Sequence, residues 1–285
     1  KGGLPKKTLN IALAGTGVGK SLFMCHMAAS ALSQGKNVLY ITMEMSEERI
    51  AERIDANLLN VPIDQLEHLS KDSFTKKVQN IATKTNGKLI IKEYPTGSAH
   101  ANHFRALLNE LKLKRNMIPD IIFIDYLNIC SSARMKGMGG SINSYSYIKS
   151  IAEELRGLAV EFDVPVVSAT QTTRGGYNND DVGLEDTSES FGLPATADLM
   201  FALIVNDELK ASNQILVKQL KNRYNDLGAN QRFVIGVDRS KMRLYDVDQN
   251  DSPLNKEEDN GPAFDNSASG QRLLTERSNF SDFKL

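Results

Sequence analysis

Eight consecutive residues, Ala14 to Ser21 (A-G-T-G-V-G-K-S), have the types and spacing that grip a nucleoside triphosphate. They follow the apolar run Leu9–Leu13 and lead into Leu22-Phe23-Met24-Cys25. Gly15, Gly17 and Gly19 are expected to take positive φ and bring the backbone close to phosphate oxygens. The N–H groups of Gly15, Thr16, Gly17, Val18 and Gly19, and of Lys20, Ser21 and Leu22 in the helix that opens there, would face the anion. The helix dipole favours that charge. Lys20 would neutralise the β- and γ-phosphates, and the Ser21 hydroxyl would reach Mg²⁺. Ala14 stands where the strict pattern has glycine. Average residue usage gives roughly 0.02 chance matches to the relaxed pattern in a chain of this length, so a mere glycine-rich turn is the poorer explanation. The chemistry implied is binding of a nucleoside triphosphate and its hydrolysis.

Four further clusters fall at the ends of expected strands, where open α/β sheets place their ligands. Asp125 follows the apolar run Ile121–Ile124, the pattern of an acid that holds Mg²⁺ through water. Glu44 lies in Met43-Glu44-Met45 after a second apolar run. Beside a γ-phosphate it could deprotonate the attacking water; otherwise it is a helix-entry acid beside Ser46 and Glu47. Gln171 ends Ser168-Ala169-Thr170-Gln171. It is either a sensor of the γ-phosphate or an ordinary strand-end amide. Lys221 and Arg223, one residue apart in Lys221-Asn222-Arg223, project from one side of an extended chain. They form either a solvated basic turn or a trans-acting finger for a neighbouring subunit's phosphate.

The elements that must carry these residues alternate between strand and helix. Strands are expected at Leu9–Leu13, Asn37–Met43, Lys88–Ile91, Ile121–Ile124 and Val164–Ala169, and then at Asp198–Val205, Gln214–Lys221, Arg232–Val237 and Met242–Tyr245. Helices are expected at Ser21–Ser33, after Ser46, at Asp72–Thr83, Ser98–Lys114 and Ser144–Phe162. In Asp72–Thr83 the residues Phe74, Val78 and Ile81 share one face. Such alternation predicts an α/β fold with a mostly parallel central sheet flanked by helices, its C-terminal strands partly antiparallel. Residues 1–247 read as one motor-sized domain. From Asp248 the chain turns acidic and then Ser/Asn-rich, so 248–285 reads as a flexible tail.

Bulk properties narrow the partners. The chain of 285 residues is 41% hydrophobic and 24% charged with a net charge of −1, so no global basic field announces nucleic acid. Any polyanion site must be local. Cys25 and Cys130 lie in or beside apolar segments and read as buried thiols of a reducing compartment, hence the cytoplasm. No apolar run approaches the ~20 residues of a membrane span. His100 and His103 lack cysteine partners at ligand spacing and read as structural rather than zinc-binding. The chain opens at Lys1 without a methionine, which leaves room for a preceding domain.

The segments A-G-T-G-V-G-K-S, I-T-M-E-M-S, I-I-F-I-D-Y-L, S-A-T-Q-T-T-R and K-N-R-Y-N-D-L-G, in this order, resemble the RecA-like motor domain of DnaB-type replicative DNA helicases, especially those of T4-like bacteriophages. The resemblance covers about residues 1–245. It implies an ATP- or other NTP-driven, Mg²⁺-dependent DNA helicase that forms a hexameric ring around single-stranded DNA. The partners it implies are a primase and a helicase loader, in the host cytoplasm if the chain is phage-encoded. It assigns Lys20 and Ser21 to phosphate and Mg²⁺, Asp125 to the metal and Glu44 to the catalytic base. Gln171 becomes the γ-phosphate sensor. Arg223, with Lys221, becomes the finger inserted into the next subunit. The chain departs from the bacterial pattern after Arg223, where a Gly-Pro pair is usual. A RecA-type recombinase and a nucleotide-gated assembly scaffold are the alternatives.

Two loops would face the channel of such a ring. Ser131–Asn143 carries Arg134 and Lys136 with Gly137, Gly139 and Gly140. Thr173–Asp186 carries Arg174, Gly175, Gly176 and Tyr177, followed by Asp180, Asp181, Glu185 and Asp186. Glycine-rich tips can offer N–H groups to phosphates with few positive charges, although the acidic stretch opposes a phosphate backbone. Six subunits would multiply a modest local charge.

Overall fold

The computed structural model describes residues 3–135, 143–172, 182–187, 192–228 and 231–249. The unit they belong to ends at Gln249. Among the described residues nine strands form one sheet: β1 (Leu9–Ala14), β2 (Val38–Thr42), β3 (Leu89–Glu93), β4 (Ile121–Asp125), β5 (Val166–Gln171), β6 (Leu199–Ile204), β7 (Gln214–Asn222), β8 (Arg232–Asp238) and β9 (Arg243–Asp246). Their order is β3-β2-β4-β5-β1-β6-β7-β8-β9. The strands from β3 to β6 run parallel, and β7, β8 and β9 add an antiparallel arm. The expected fold class is therefore observed.

The helices are α1 (Lys20–Ser33), α2 (Glu47–Leu59), α3 (Lys71–Ala82), α4 (Ala101–Arg115), α5 (Ser144–Glu161), α6 (Gly192–Thr196) and α7 (Asp207–Ala211). The last two are too short to show a helical period, and the sequence reading missed both. Alternation within each strand divides the core into two layers. Leu39, Ile41, Ile122 and Ile124 pack with Phe104 and Leu108 of α4 and Ile151 and Leu155 of α5. Val38, Tyr40 and Phe123 pack with Met24 and Cys25 of α1 and Ile50 and Ile54 of α2. The central strands are thus covered on both faces, which is why they read as continuous apolar runs.

One expectation changes. Helix α3 forms, capped by Ser70, but it buries no residue. Phe74 and Val78 remain 37% and 41% exposed. The described chain runs on to Gln249, whose amide accepts from the Val234 N–H at 2.8 Å and donates to the Val234 carbonyl at 2.9 Å. Residues 250–285 of the expected tail lie outside the described residues.

Candidate functional site: a phosphate loop at the switch of the sheet

The chain leaves β1 for β2, on one side of it, and later returns to β6 on the other. The crevice of such a sheet opens at the carboxyl end of β1. The Ala14–Ser21 loop occupies this point. The Val18 N–H donates to the Gly15 carbonyl at 3.4 Å, closing a four-residue turn. Its third residue, Gly17, has φ 78°, the left-handed value that this position of such a turn demands. Gly19 has φ 125° and opens α1. Gly15 is the first residue of the turn and is not among the residues with positive φ, so the expectation for it is corrected. Side chains of Ser46, Ser70, His100, Asn143 and Asn206 cap α2, α3, α4, α5 and α7. No side chain caps α1, and its first turn holds no acid. Its N-terminal N–H groups are thus left to an anion from outside the chain.

Lys20 folds back over the loop, donating to the Ala14 and Gly15 carbonyls at 3.4 and 3.3 Å. Its ammonium lies 6.0 Å from the centre of the Tyr126 ring. Burial lowers its pKa, while Glu44 and Asp125 act in the opposite direction. A phosphate would restore the charge balance that burial disturbs.

Ladder register brings the other residues to this edge. Gln171 pairs with Ala14, and Asp125 pairs with Thr42. Asp125 is fully buried. Its Oδ2 accepts from the Tyr40 hydroxyl at 3.0 Å, while Oδ1 has no hydrogen-bond partner. Burial raises its pKa; Tyr40, Ser21, Arg53 and Lys20 hold the rise back. A carboxylate oxygen left bare beside a serine at a phosphate loop suits a hard divalent cation such as Mg²⁺, so the residues fit the ion. Glu44, two residues past Thr42, is exposed and has no ion pair among the described residues. The Gln171 amide donates to the Tyr126 hydroxyl at 3.2 Å. The helix after Glu44 is capped by Ser46, which accepts from the Arg49 N–H. Glu44 therefore has no part in that cap.

Lys221 and Arg223 lie elsewhere. Because β7 runs antiparallel to β6, Asn222 pairs with Leu199, and Leu199 pairs with Asn10 near the start of β1. The basic pair thus occupies the opposite edge of the sheet, on the order of 15 Å from the loop along the strands. This corrects the expectation that all four clusters share the ligand-binding edge. Arg223 Nη1 lies 3.1 Å from Asp198 Oδ1, and Lys221 donates to the Pro194 and Ala195 carbonyls at 2.6 and 3.2 Å. Neither side chain can reach its own chain's phosphate loop.

Of the expected DNA-contacting residues, only Arg134 is described. It pairs with Glu153 of α5 at 2.6 Å, so its charge is locally matched. Lys136, Gly137, Gly139, Gly140, Arg174, Gly175, Gly176, Tyr177, Asp180 and Asp181 lie outside the described residues, as does the Glu185 side chain. Asp186 accepts from the Gly183 N–H at 2.8 Å. His100 caps α4, accepting from the Asn102 N–H at 3.3 Å, and its own N–H donates to His103 at 3.2 Å. Cys25 and Cys130 are buried free thiols, and burial pushes Cys25 up to about 12. Among the described residues no helix is long and apolar enough to cross a membrane.

The sequence reading missed three contributors. Tyr126 joins Lys20 to Gln171, and its place directly after Asp125 was the available signal. Tyr40 holds Asp125 from the interior of β2. Arg239 comes directly after β8, and its Nη1 lies 3.9 Å from where a Cβ on Gly19 would stand. Nothing local to Arg239-Ser240-Lys241 signals that the antiparallel arm returns to the loop.

The profile of the DnaB-like helicase C-terminal domain family matches residues 1–238. A DnaB-like replicative helicase of Enterobacteria phage T4 is 48% identical over 256 residues, covering 89% of this chain and 54% of that protein. The replicative DNA helicase DnaB of Helicobacter pylori is 29% identical over 205 residues, covering 70% of this chain and 40% of that protein. The chain thus spans about half the length of these relatives or less. Among solved structures, an ATPase domain superposes with a TM-score of 0.71 at 18% identity, covering 86% of this chain and 87% of that one. A DnaB-like replicative helicase, described with its interactions with primase, superposes with a TM-score of 0.70 at 19% identity. It covers 86% of this chain and 58% of that one. At these identities the two structures bear on the fold alone.

Proposed function

Because this chain belongs to the DnaB-like helicase C-terminal domain family, we propose that it is the NTP-driven motor of a replicative DNA helicase, moving on single-stranded DNA and unwinding duplex at a fork. One observation carries the reading. Lys20, Glu44, Asp125 and Gln171 share one edge of the sheet, while Lys221 and Arg223 stand at the other, so a complete site needs two subunits.

In this mechanism the loop's N–H groups and Lys20 hold the triphosphate, ATP or another NTP. Ser21 and Asp125 would hold Mg²⁺, which supplies charge neutralisation at the phosphates when bound. Glu44, exposed and free of an ion pair, takes the proton of the attacking water. Arg223 of the neighbouring subunit, with Lys221 beside it, meets the charge of the transferring phosphoryl group. Gln171 senses the γ-phosphate, and Tyr126 ties that amide to Lys20. Loss of the phosphate then reaches the residues after Thr172, which hold Arg174, Gly175 and Gly176. These residues, with Arg134, Lys136 and Gly139, face the strand in a ring of six. A primase and a helicase loader are the proposed partners, in the cytoplasm.

The test is unwinding of 5′- and 3′-tailed forks with Lys20→Ala as control. Unwinding of one fork type that is abolished in the variant supports the proposal. Strand exchange by open filaments would instead favour a recombinase. Hydrolysis unchanged by single-stranded DNA would favour a nucleotide-gated scaffold.

A further inference from the structure

Asp198 is fully buried at the start of β6, and four donors converge on its carboxylate. Oδ2 accepts from the Leu9 N–H and from Arg156 Nε, each at 3.0 Å. Oδ1 accepts from Arg156 Nη2 at 3.1 Å and faces Arg223 Nη1 at the same distance. The backbone is tied in as well: the Asp198 N–H donates to the Leu9 carbonyl, and the Arg223 N–H donates to the Asp198 carbonyl at 3.0 Å. Arg156 also interacts with Tyr224, the residue after Arg223. Arg223 Nη2 reaches the Ala195 carbonyl of α6 at 3.4 Å, and Lys221 donates to that carbonyl and to Pro194.

Two features make this more than a surface ion pair. Arg156 grips Asp198 with two parallel N–H bonds, the geometry that fixes a guanidinium and a carboxylate in one orientation. The carboxylate is fixed in turn by the strand it begins. Arg223 is therefore held by a group that cannot swing, while its own side chain stays 40% exposed. Arg156 and Arg223 share the one carboxylate, and Lys221 stands close enough to feel its charge. Burial lowers the pKa of Lys221 and Arg223 lowers it further; Asp198 opposes them, and Arg156 adds to the lowering. The patch keeps uncompensated positive charge at the open edge, with guanidinium donors to spare for an anion from outside.

We infer that Arg156 and Asp198 are positioning residues that pre-aim Arg223 for the neighbouring subunit's phosphate. The inference rests on the trans-finger reading above. Preorganised donors act most strongly when they need no rearrangement at the moment of reaction. Releasing the two-pronged grip would leave Arg223 to sample other rotamers, so kcat falls while nucleotide binding at the chain's own loop does not.

The experiment compares DNA-stimulated hydrolysis by Arg156→Met, Arg156→Lys and Arg223→Ala, each assembled alone and each co-assembled with Lys20→Ala subunits. The expected result for Arg156→Met alone is a kcat lowered about tenfold or more, with KM for the nucleotide within about twofold. Arg156→Lys recovers part of the rate. Co-assembly of Arg156→Met with Lys20→Ala gives more hydrolysis than the two assembled separately, because an intact finger now meets an intact loop. Wild-type kcat in Arg156→Met overturns the inference. So does a loss that co-assembly does not recover while Arg223→Ala is recovered. If Arg223→Ala is not recovered either, the trans-finger reading falls and this inference with it. Should Arg156→Met lower the melting temperature by more than about 5 °C, the substitution disturbs the fold as well as the finger, and Arg156→Lys carries the same comparison.

Discussion

Thr42 of β2 and Asp125 of β4 are direct ladder partners. That pairing brings Glu44, two residues on, to the edge where Asp125 meets the phosphate loop, although 81 positions separate the two acids in the chain. The two acids differ in environment: Asp125 is buried and bonded to Tyr40, and Glu44 is exposed. A buried acid suits a fixed cation, and an exposed one suits exchange of protons with water.

Glu44→Gln keeps the shape of the side chain and removes its basicity. We expect kcat for hydrolysis to fall roughly 10²–10⁴-fold, the usual share of a general base, with nucleotide affinity kept within a few-fold. Steady-state hydrolysis together with nucleotide titration measures both. A loss of affinity equal to the loss of rate would remove Glu44 from the role of base.

Asp125→Asn should abolish the proposed hydrolysis and stabilise the nucleotide-free protein. The buried carboxylate has one oxygen without a partner, and its charge costs free energy until a cation arrives. Asparagine can still accept from Tyr40. We expect a melting temperature higher by about 2–4 °C per kcal/mol gained. A lower melting temperature would mean that Asp125 is satisfied in the resting protein.

His26 of α1 accepts at Nδ1 from the Leu244 N–H at 3.3 Å and lies 3.0 Å from the Asn57 amide, joining α1 to α2 and β9. Burial, then Arg243, lowers its pKa. The unfolded chain therefore binds the proton more readily. His26 contributes stability in full above the ordinary histidine value of about 6.5, and that contribution is lost as pH falls below it. Thermal melts from pH 8 to pH 5 should show a steeper acid loss in the wild type than in His26→Gln. Parallel curves would show that the ring does not titrate with folding.

Gly87 precedes β3, against the end of α1. A Cβ there would stand 2.6 Å from the Lys36 carbonyl oxygen and 2.9 Å from that of Leu32, both backbone atoms. Neither can turn aside as a side chain would. Gly87→Ala should cost about 1–3 kcal/mol, read as a shift in the urea midpoint at unchanged slope. An unchanged midpoint would show that the loop shifts freely.

Local chemistry was legible where local sequence creates it. The phosphate loop and its neighbouring strand and helix are set by glycine spacing and apolar runs. Ser46 is legible as a cap because Glu47, Glu48 and the periodic Ile50 and Ile54 come directly after it. Gly15 was misread because three glycines in a row of alternating positions look alike. Only the turn closed by Val18 separates the first from the third position. The apolar face of α3 was legible as a pattern, but a pattern does not say what lies over it.

The sequence by itself determined the alternating α/β architecture and marked out the proposed triphosphate loop and the candidate acids Glu44 and Asp125, because these arise from residue type and short-range period. Only the tertiary structure decided which edge each cluster occupies. The direction of β7 is a long-range property, set by pairing with β6, and it carries Lys221 and Arg223 to the edge of the sheet opposite their own chain's loop. The same fold brings Arg156, Asp198 and Arg223 together from three distant segments. No local rule could assemble them, since their contact depends on sheet order and not on spacing along the chain.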